Sequence, residues 1–197
     1  MNMEYTFTAI TDEISIWDSV FTPTECTFFF EHCLGLSTLH QGEIRMFGKR
    51  VPIPRLESFH CNEAITYTYS GKLLKPAPFT SELLDIKTKV EMITGHSYNC
   101  VLINLYRNGQ DSNGWHADNE KELGENPIIA SVSFGAPRTF KLRSTNGAEQ
   151  YAIALGAGSL LLMGEHVQHQ FKHCIPKEPK ITNPRINLTF RTILESR

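Results

Sequence analysis

His116 and Asp118, two residues apart in "NLYRNGQDSNGWHADNE", offer an imidazole nitrogen and a carboxylate oxygen from one short stretch. Two such donors do not complete a metal site, so a third must come from elsewhere in the chain. Three later histidines are candidates, His166, His169 and His173 in "GEHVQHQFKHCIP", and spacing alone does not choose among them. A second constellation lies in "RINLTFR". Side chains alternate along a strand, so Arg185, Asn187, Thr189 and Arg191 share one face while Ile186, Leu188 and Phe190 share the other. The same alternation puts Asn104 and Tyr106 on one face of "NCVLINLY".

Two His and one carboxylate on one face of an octahedral iron leave three positions open, the donor set of non-haem Fe(II) oxygenases. The arginine strand could be a solvated edge, or it could face a ligand. At the rise of a strand, six residues separate the backbones of Arg185 and Arg191 by roughly 20 Å, and each guanidinium can lean inward. A small dicarboxylate fits between them. The planar fork of Arg matches a carboxylate, so a facing pair suits a five-carbon diacid.

These residues need elements to hold them. "TPTECTFFFEHCLGL" has an N-cap at Thr22, Pro23 at the first helical position and Gly35 as a stop, and reads as a helix. "TSELLDIKTKVEMITG" reads as a second, with Leu83, Ile86, Val90 and Ile93 on one stripe and Gly95 at its end. From residue 99 the character changes to short segments rich in Val, Ile, Leu, Phe and Thr: "NCVLINLY", "IIASVSF", "RTFKLR", "YAIAL", "GSLLLM" and "RINLTFRTI". Breaks such as "RNGQDSNG", "FGAPR" and "STNG" separate them. Many short strands with such punctuation suggest a sandwich, jelly roll or small barrel rather than a βαβ fold, and the expected fold is α+β, a double-stranded β-helix (jelly-roll) core with the N-terminal helices buttressing one sheet face.

At 197 residues the chain has the length of one domain, and a domain of that size buries roughly 70% of its unfolded surface without disulfide staples. Five cysteines at scattered spacings with no CxxC fit a reduced, cytoplasmic chain, nuclear if the cell has a nucleus. No apolar run approaches the ~18 residues of a membrane span. A net charge of −2 excludes a strongly basic protein that coats nucleic acid indiscriminately, but not local patches. Arg45, Lys49, Arg50 and Arg55 cluster in "RMFGKRVPIPR", which on its own reads as a solvated face, and the tail from Lys172 is mostly basic.

Taken together, "LINLYRNGQDSNGWHADNEKELGENPIIASVSFGAPRTFKLR", "GSLLLMGEHVQHQFKHCIP" and "PRINLTFR" resemble the AlkB family of Fe(II)/2-oxoglutarate-dependent nucleic-acid demethylases, notably the branch of its animal DNA-repair members. The match runs from about Gly42 to Ile193. The resemblance implies a single AlkB-like domain over residues 1–197, with nucleotide recognition in about 42–70 and the catalytic jelly roll in about 99–193. It selects His173, in an H-x-x-P context, as the third ligand beside His116 and Asp118. It places the distal carboxylate of 2-oxoglutarate at Arg185, Asn104 and Tyr106, and the end nearer the iron at Arg191, Thr189 and Asn187. Fe(II), 2-oxoglutarate and O2 would then demethylate 1-methyladenine and 3-methylcytosine in single- or double-stranded DNA, and also RNA, releasing formaldehyde, succinate and CO2. The enzyme would act as a monomer.

The same resemblance gives substrate roles. Tyr69 stacks the extruded base against His116, and Tyr67 lines the pocket. Phe47, with Gly48 and Lys49 in a tight turn among cations, fills the gap left in the stack, an apolar wedge beside phosphate contacts. Asn119 and Glu120 face the base edge, where a Glu accepts from an exocyclic amino group. The loop "STNGAEQ" is shorter and less charged than in duplex-preferring relatives. The competing readings are the same iron chemistry on a protein or small molecule, and a metal-free jelly-roll binding module. The second leaves both arginines without a diacid.

Overall fold

Both helices form where their local signals lie. In the computed structural model, which describes residues 6–46, 48–61, 67–69, 72–74 and 76–194, helix α1 (Pro23–Leu34) opens on a complete capping box. The Thr22 hydroxyl accepts from the Glu25 N–H, and the Glu25 carboxylate accepts from the Thr22 N–H. Helix α2 (Ser81–Thr94) is capped by Thr80 and stops at Gly95, whose φ of 73° is open to glycine at little cost. Its stripe buries Leu83, Ile86 and Val90, with Ile93 partly buried against the same cluster.

Among the described residues the strands, numbered in chain order, build two sheets and two ribbons. The larger, seven-stranded sheet runs β1 (Thr8–Thr11), β2 (Ile14–Trp17), β13 (Leu160–Met163), β10 (Ile129–Gly135), β15 (Arg185–Arg191), β8 (Cys100–Tyr106), β5 (Leu56–Cys61). The smaller runs β12 (Gln150–Leu155), β11 (Arg138–Ser144), β14 (Phe171–Ile175), β9 (Asn113–His116). All these neighbours are antiparallel. The ribbons are β3 (Glu43–Met46) with β4 (Lys49–Pro52), and β6 (Tyr67–Tyr69) with β7 (Lys72–Leu74). A short helical turn, α3 (Val167–Gln170), precedes β14, and a 3-10 turn spans Lys121–Leu123. This is the expected jelly roll.

Period-two alternation decides what each face of the larger sheet does. Val101, Ile103 and Leu105 of β8, Ala130, Val132 and Phe134 of β10, and Ile186, Leu188 and Phe190 of β15 pack with Phe29 and Cys33 of α1 and Leu83, Ile86 and Val90 of α2. Burying each large aliphatic or aromatic side chain contributes about 1.5–3 kcal/mol, so this layer supplies much of the drive to fold. The opposite face looks into the space between the sheets. There Ile129, Leu161 and Met163 meet Phe140, Leu142, Ile153, Leu155, Phe171 and Ile175. Polar residues occupy the other part of that face, and the site lies among them.

β1, β2 and β5 of the larger sheet lie before residue 99, where no core strand is expected, and two later strands also depart from the sequence expectation. β9 starts inside "RNGQDSNG", read as a break, and β14 lies inside the His-rich "GEHVQHQFKHCIP". Neither advertises itself locally. β9 is four residues with a glycine and is held by pairing with β14, His116 opposite His173.

Beyond the strand ends, two loops are clasped together. The Gly109 N–H donates to the Ile181 carbonyl at 2.7 Å, and its carbonyl accepts from the Glu178 N–H at 2.8 Å. A Cβ at position 109 would stand 1.8 Å from the Glu178 carbonyl oxygen, so only glycine fits. Arg138, fully enclosed, donates to the Glu178 carboxylate and to the carbonyls of Asn108, Asp111 and Pro176. The end of β8 and the approach to β15 are thereby fixed relative to each other.

Candidate metal centre and cosubstrate pocket

His116 ends β9, Asp118 follows two residues later, and His173 stands on the neighbouring strand β14. One ligand atom from each lies within 4.8 Å of the others. His166 and His169 are directed elsewhere. The His166 ring sits 3.8 Å from Glu13, and the His169 ring is hydrogen-bonded to the Glu125 carbonyl.

Each of the three side chains is oriented by a second contact. The Nδ1 of His116 lies 2.8 Å from the Gly114 carbonyl, which can only accept, so Nδ1 carries the proton and Nε2 presents its lone pair. That Nε2 is 3.6 Å from Asp118 Oδ1. The Asp118 backbone N–H donates to Gln168 Oε1, and Arg191 donates to Asp118 Oδ2 at 2.6 Å. His173 stacks on Phe140 with ring centroids 5.2 Å apart.

Burial and charge set the protonation states. Burial would raise the Asp118 carboxyl, but Arg191, His116 and His173 outweigh it and hold it well below the ordinary carboxylate range. Burial, reinforced by His116, lowers His173 to about 3. An ionised carboxylate and a neutral imidazole are the ligand forms a metal needs. Two buried atoms, Asp118 Oδ1 and His173 Nδ1, have no hydrogen-bond partner, a state that native interiors rarely tolerate without an ion or water. Two imidazoles and a carboxylate fit a divalent iron.

The polar floor of the cavity is built by β15, β8 and β10. Arg185 is opposite Tyr106 and Asn187 opposite Asn104 on one side, with Ser133 and Ser131 opposite Asn187 and Thr189 on the other. Arg185 Nη2 donates to Ser133 Oγ and Asn187 Oδ1, and Asn187 Nδ2 donates to Thr189 Oγ1. The seven residues of β15 are all buried, which excludes a solvated charged edge. Burial lowers the Arg185 guanidinium to about 10, still charged at neutral pH, and its Nε and Nη1 have no hydrogen-bond partner. A buried cation with unused donors calls for an anion, and the cavity lined by Asn104, Tyr106, Asn187, Thr189 and Arg191 continues to the His116, Asp118 and His173 cluster.

One expectation is corrected. Arg55 does not belong to a solvated basic face: it is buried, and its Nε donates to Asn104 Oδ1 at 2.8 Å. It stands one residue before β5, which pairs with β8 through Leu56 and Leu105, so its side chain reaches the inner face. Lys49 and Arg50 are exposed, as is Gly48 in the turn between β3 and β4. Phe47 lies outside the described residues. Tyr67 and Tyr69 begin and end β6. Asn119 is exposed and Glu120 half-buried beside the metal cluster. Sequence reasoning missed Arg55, Arg138, Gln168, Ser131 and Ser133, since periodicity marks a face but not which polar side chain turns in to support another.

The fold and the site together define a class. The family model of the 2OG-Fe(II) oxygenase superfamily matches residues 13–191, and the chain belongs to that superfamily. Its cofactor set is Fe(II), 2-oxoglutarate and O2. The chain is 39% identical over 159 residues to a protein named DNA oxidative demethylase ALKBH2 from Bos taurus, covering 77% of this chain and 57% of that protein. It is 43% identical over 150 residues to the human alpha-ketoglutarate-dependent dioxygenase alkB homolog 3, covering 71% and 52%. Mouse ALKBH2 is 36% identical over 163 residues, with 79% and 68% covered. The chain thus spans about half the length of the first two curated relatives. The solved structure of OsALKBH1 superposes with a TM-score of 0.62 at 15% identity, covering 95% of this chain and 100% of that one, a likeness of fold. No helix among the described residues is long and apolar enough to cross a membrane.

Proposed function

We propose that this chain is an oxidative demethylase of N-alkylated bases, taking 1-methyladenine and 3-methylcytosine in DNA, with RNA as a second polymer. The observation that carries the reading is one continuous inner surface. Across the space between the two sheets it has three metal-ligating groups at one end and, on the larger sheet, a polar wall of Asn104, Tyr106, Asn187, Thr189 and Arg191, whose Asn187 is hydrogen-bonded to the buried Arg185 with its two unused donors. Relatives that bear the name DNA oxidative demethylase support the substrate class.

In this reading His116, Asp118 and His173 hold Fe(II). Arg185, with Tyr106 and Asn104, takes the distal carboxylate of 2-oxoglutarate, and Arg191, with Thr189 and Asn187, lies toward the iron end. When bound, the iron with 2-oxoglutarate and O2 supplies the oxidation that hydroxylates an N-methyl group, with succinate and CO2 as co-products. Loss of formaldehyde then restores the base. The protein orients the methyl group and excludes water. Asn119 and Glu120 read the base edge, Tyr69 stacks the extruded ring against His116 with Tyr67 beside it, and Phe47, Gly48 and Lys49 hold the gap in the strand. Extruding a base costs a few kcal/mol, and less when methylation has already broken its pair. The chain works as a single-domain monomer in the cytoplasm or nucleus, with residues 42–70 as its nucleotide-recognition segment and 99–193 as its catalytic core.

The test is incubation with Fe(II), 2-oxoglutarate and an oligonucleotide carrying 1-methyladenine, following formaldehyde release and base mass together. Both should change in step. Succinate formation with no change in any methylated oligonucleotide would move the substrate to a protein or small molecule.

A further inference from the structure

The inner face of the smaller sheet carries His116, His173, Phe140 and Leu142, so alternation turns Trp115, Lys172, Lys141 and Arg143 to its outer face. All four are exposed, Trp115 by 41%. The Arg143 guanidinium stacks over the indole, 4.5 Å from the ring centroid. In register, Arg143 lies opposite Lys172 and Lys141 opposite Cys174. The other exposed positions of the β11 and β12 strands on this side are Gln150, Ala152 and Ala154, with no acid among them. Glu149 borders the face at the hairpin turn, and Glu178 borders it at the far end, held by Arg138 and Thr139.

This arrangement is unfavourable for an unliganded sheet. Like charges directly opposite each other on neighbouring strands destabilise the pair, and an exposed Trp adds apolar surface to water. Three cations with no intervening acid also contrast with a chain of net charge −2. A polyanion with flat rings relieves all three features at once. We propose that the outer face of the smaller sheet binds the single-stranded nucleic acid that flanks the target base, with the Trp115 and Arg143 stack as its base platform and Lys141 and Lys172 as phosphate contacts. An acidic peptide would use the cations and leave the indole idle, whereas a single strand uses both, because every base has a face to stack and every link a phosphate. The route is short. β9 is the edge strand of its sheet, and Trp115 adjoins His116, so a strand entering the cavity over that edge meets the platform directly. The inference rests on the nucleic-acid reading above and extends it to a surface outside the cavity.

The test uses the metal-free full chain and a labelled, unmodified single-stranded oligonucleotide of about 16 nucleotides, the upper range of single-strand site sizes. Fluorescence anisotropy should show a Kd raised about 5-fold or more by Trp115→Ala, the lower end of the loss of one base stack. Trp115→Phe should restore part of it. Replacing Lys141 and Lys172 together by Gln should flatten the slope of log Kd against log salt by about 1.4, near 0.7 for each lost phosphate contact. Circular dichroism and a cooperative thermal unfolding transition report that the variants are folded. Parental binding and salt slope in both folded variants would overturn the inference, and so would displacement by polyglutamate as effective as by an oligonucleotide of equal charge. The functional reading fails separately. A parent that demethylates no oligonucleotide, yet binds the unmodified strand through Trp115 and the cations, sinks that reading and leaves this one standing. A parent that demethylates well, with binding indifferent to these residues, does the reverse.

Discussion

At the scale of single residues, the site depends on side chains held in the protonation and orientation that their partners dictate. His116 is turned by the Gly114 carbonyl, Asp118 by Gln168 and Arg191, and His173 by its stack on Phe140. His169 has none of this geometry: its ring is committed to the Glu125 carbonyl on the surface. His173→Ala should therefore abolish iron-dependent succinate formation while His169→Ala leaves it nearly intact, as read by succinate release over a range of Fe(II) concentrations. An active His173→Ala beside an inactive His169→Ala would mean the wrong histidine holds the metal. The second residue-scale prediction concerns Arg185, whose Nε and Nη1 are unused inside the protein. A charge-assisted pair with a carboxylate needs this cation, so Arg185→Leu should raise the 2-oxoglutarate concentration for half-maximal rate by tenfold or more, a loss of at least about 1.5 kcal/mol. Oligonucleotide binding should barely change. Equal cosubstrate kinetics in mutant and parent would remove Arg185 from the pocket.

At the scale of elements, β5 shows how the frame behind the site is secured. It pairs with β8 on one side, and on the other Cys61 N–H donates to the Ala77 carbonyl and Ala77 N–H to the Phe59 carbonyl. Between these contacts His60 is buried, with Nδ1 2.8 Å from the Pro78 carbonyl and Nε2 2.9 Å from Ser58 Oγ. Burial lowers its pKa below the usual 6.5, against the hydrogen bond to Pro78, with His32 adding to the lowering. The unfolded chain takes up a proton at His60 near pH 6.5 and the folded chain only at lower pH. The group therefore contributes stability that is present above about 6.5 and is lost as pH falls toward the lowered folded value. The urea midpoint should drop between pH 7.5 and 5.5, and the drop should be smaller in His60→Gln. An identical drop in both would show that His60 is not the linked group. Elements also differed in how far they could be read beforehand. The helices were legible because Thr22, Pro23, Gly35 and Gly95 act on their own neighbours, and β15 because its polar and apolar residues alternate without a break. β9 and β14 were not, since their strand character comes from pairing His116 with His173, a contact between residues 57 positions apart, visible only once the sheet is assembled. The choice among three histidines was hidden for the same reason. Arg55 was misread because a run of cations carries no mark of the one that turns inward.

At the scale of the whole molecule, the larger sheet performs two opposed tasks. Its helix side is apolar across β8, β10 and β15, and its inner side divides into an apolar half closed by the smaller sheet and a polar half that holds charge. Charged groups can sit at such depth only because each is answered: Asp118 by Arg191, Arg138 by Glu178, and in the proposed function Arg185 by a bound carboxylate. The proposed recognition segment, residues 42–70, is built differently. Its β5 belongs to the larger sheet, whereas β3 pairs only with β4, and β6 only with β7 just beyond the segment, among the described residues. The two ribbons thus stand apart from the strands of the metal cluster, and the parts proposed to hold the nucleotide can be tested apart from the chemistry. If Phe47 plugs the base stack and Tyr69 packs on the extruded ring, the two should respond differently to substrate geometry. A single strand has no opposite partner to restack, so Phe47→Ala should slow repair of a duplex more than of a short single-stranded oligonucleotide. Tyr69 meets the base in either context, and one base-aromatic stack contributes about 1–3 kcal/mol, so Tyr69→Ala should weaken both by roughly 5-fold to 150-fold. The measurement is turnover on matched single- and double-stranded 1-methyladenine substrates, with succinate formation in the absence of nucleic acid as the control for the iron site. That control should stay at the parental rate in both variants, because neither residue lies on the strands that carry the metal and diacid groups. Parental rates on every oligonucleotide would leave the two ribbons without a base to hold, and the iron chemistry would then need a different substrate.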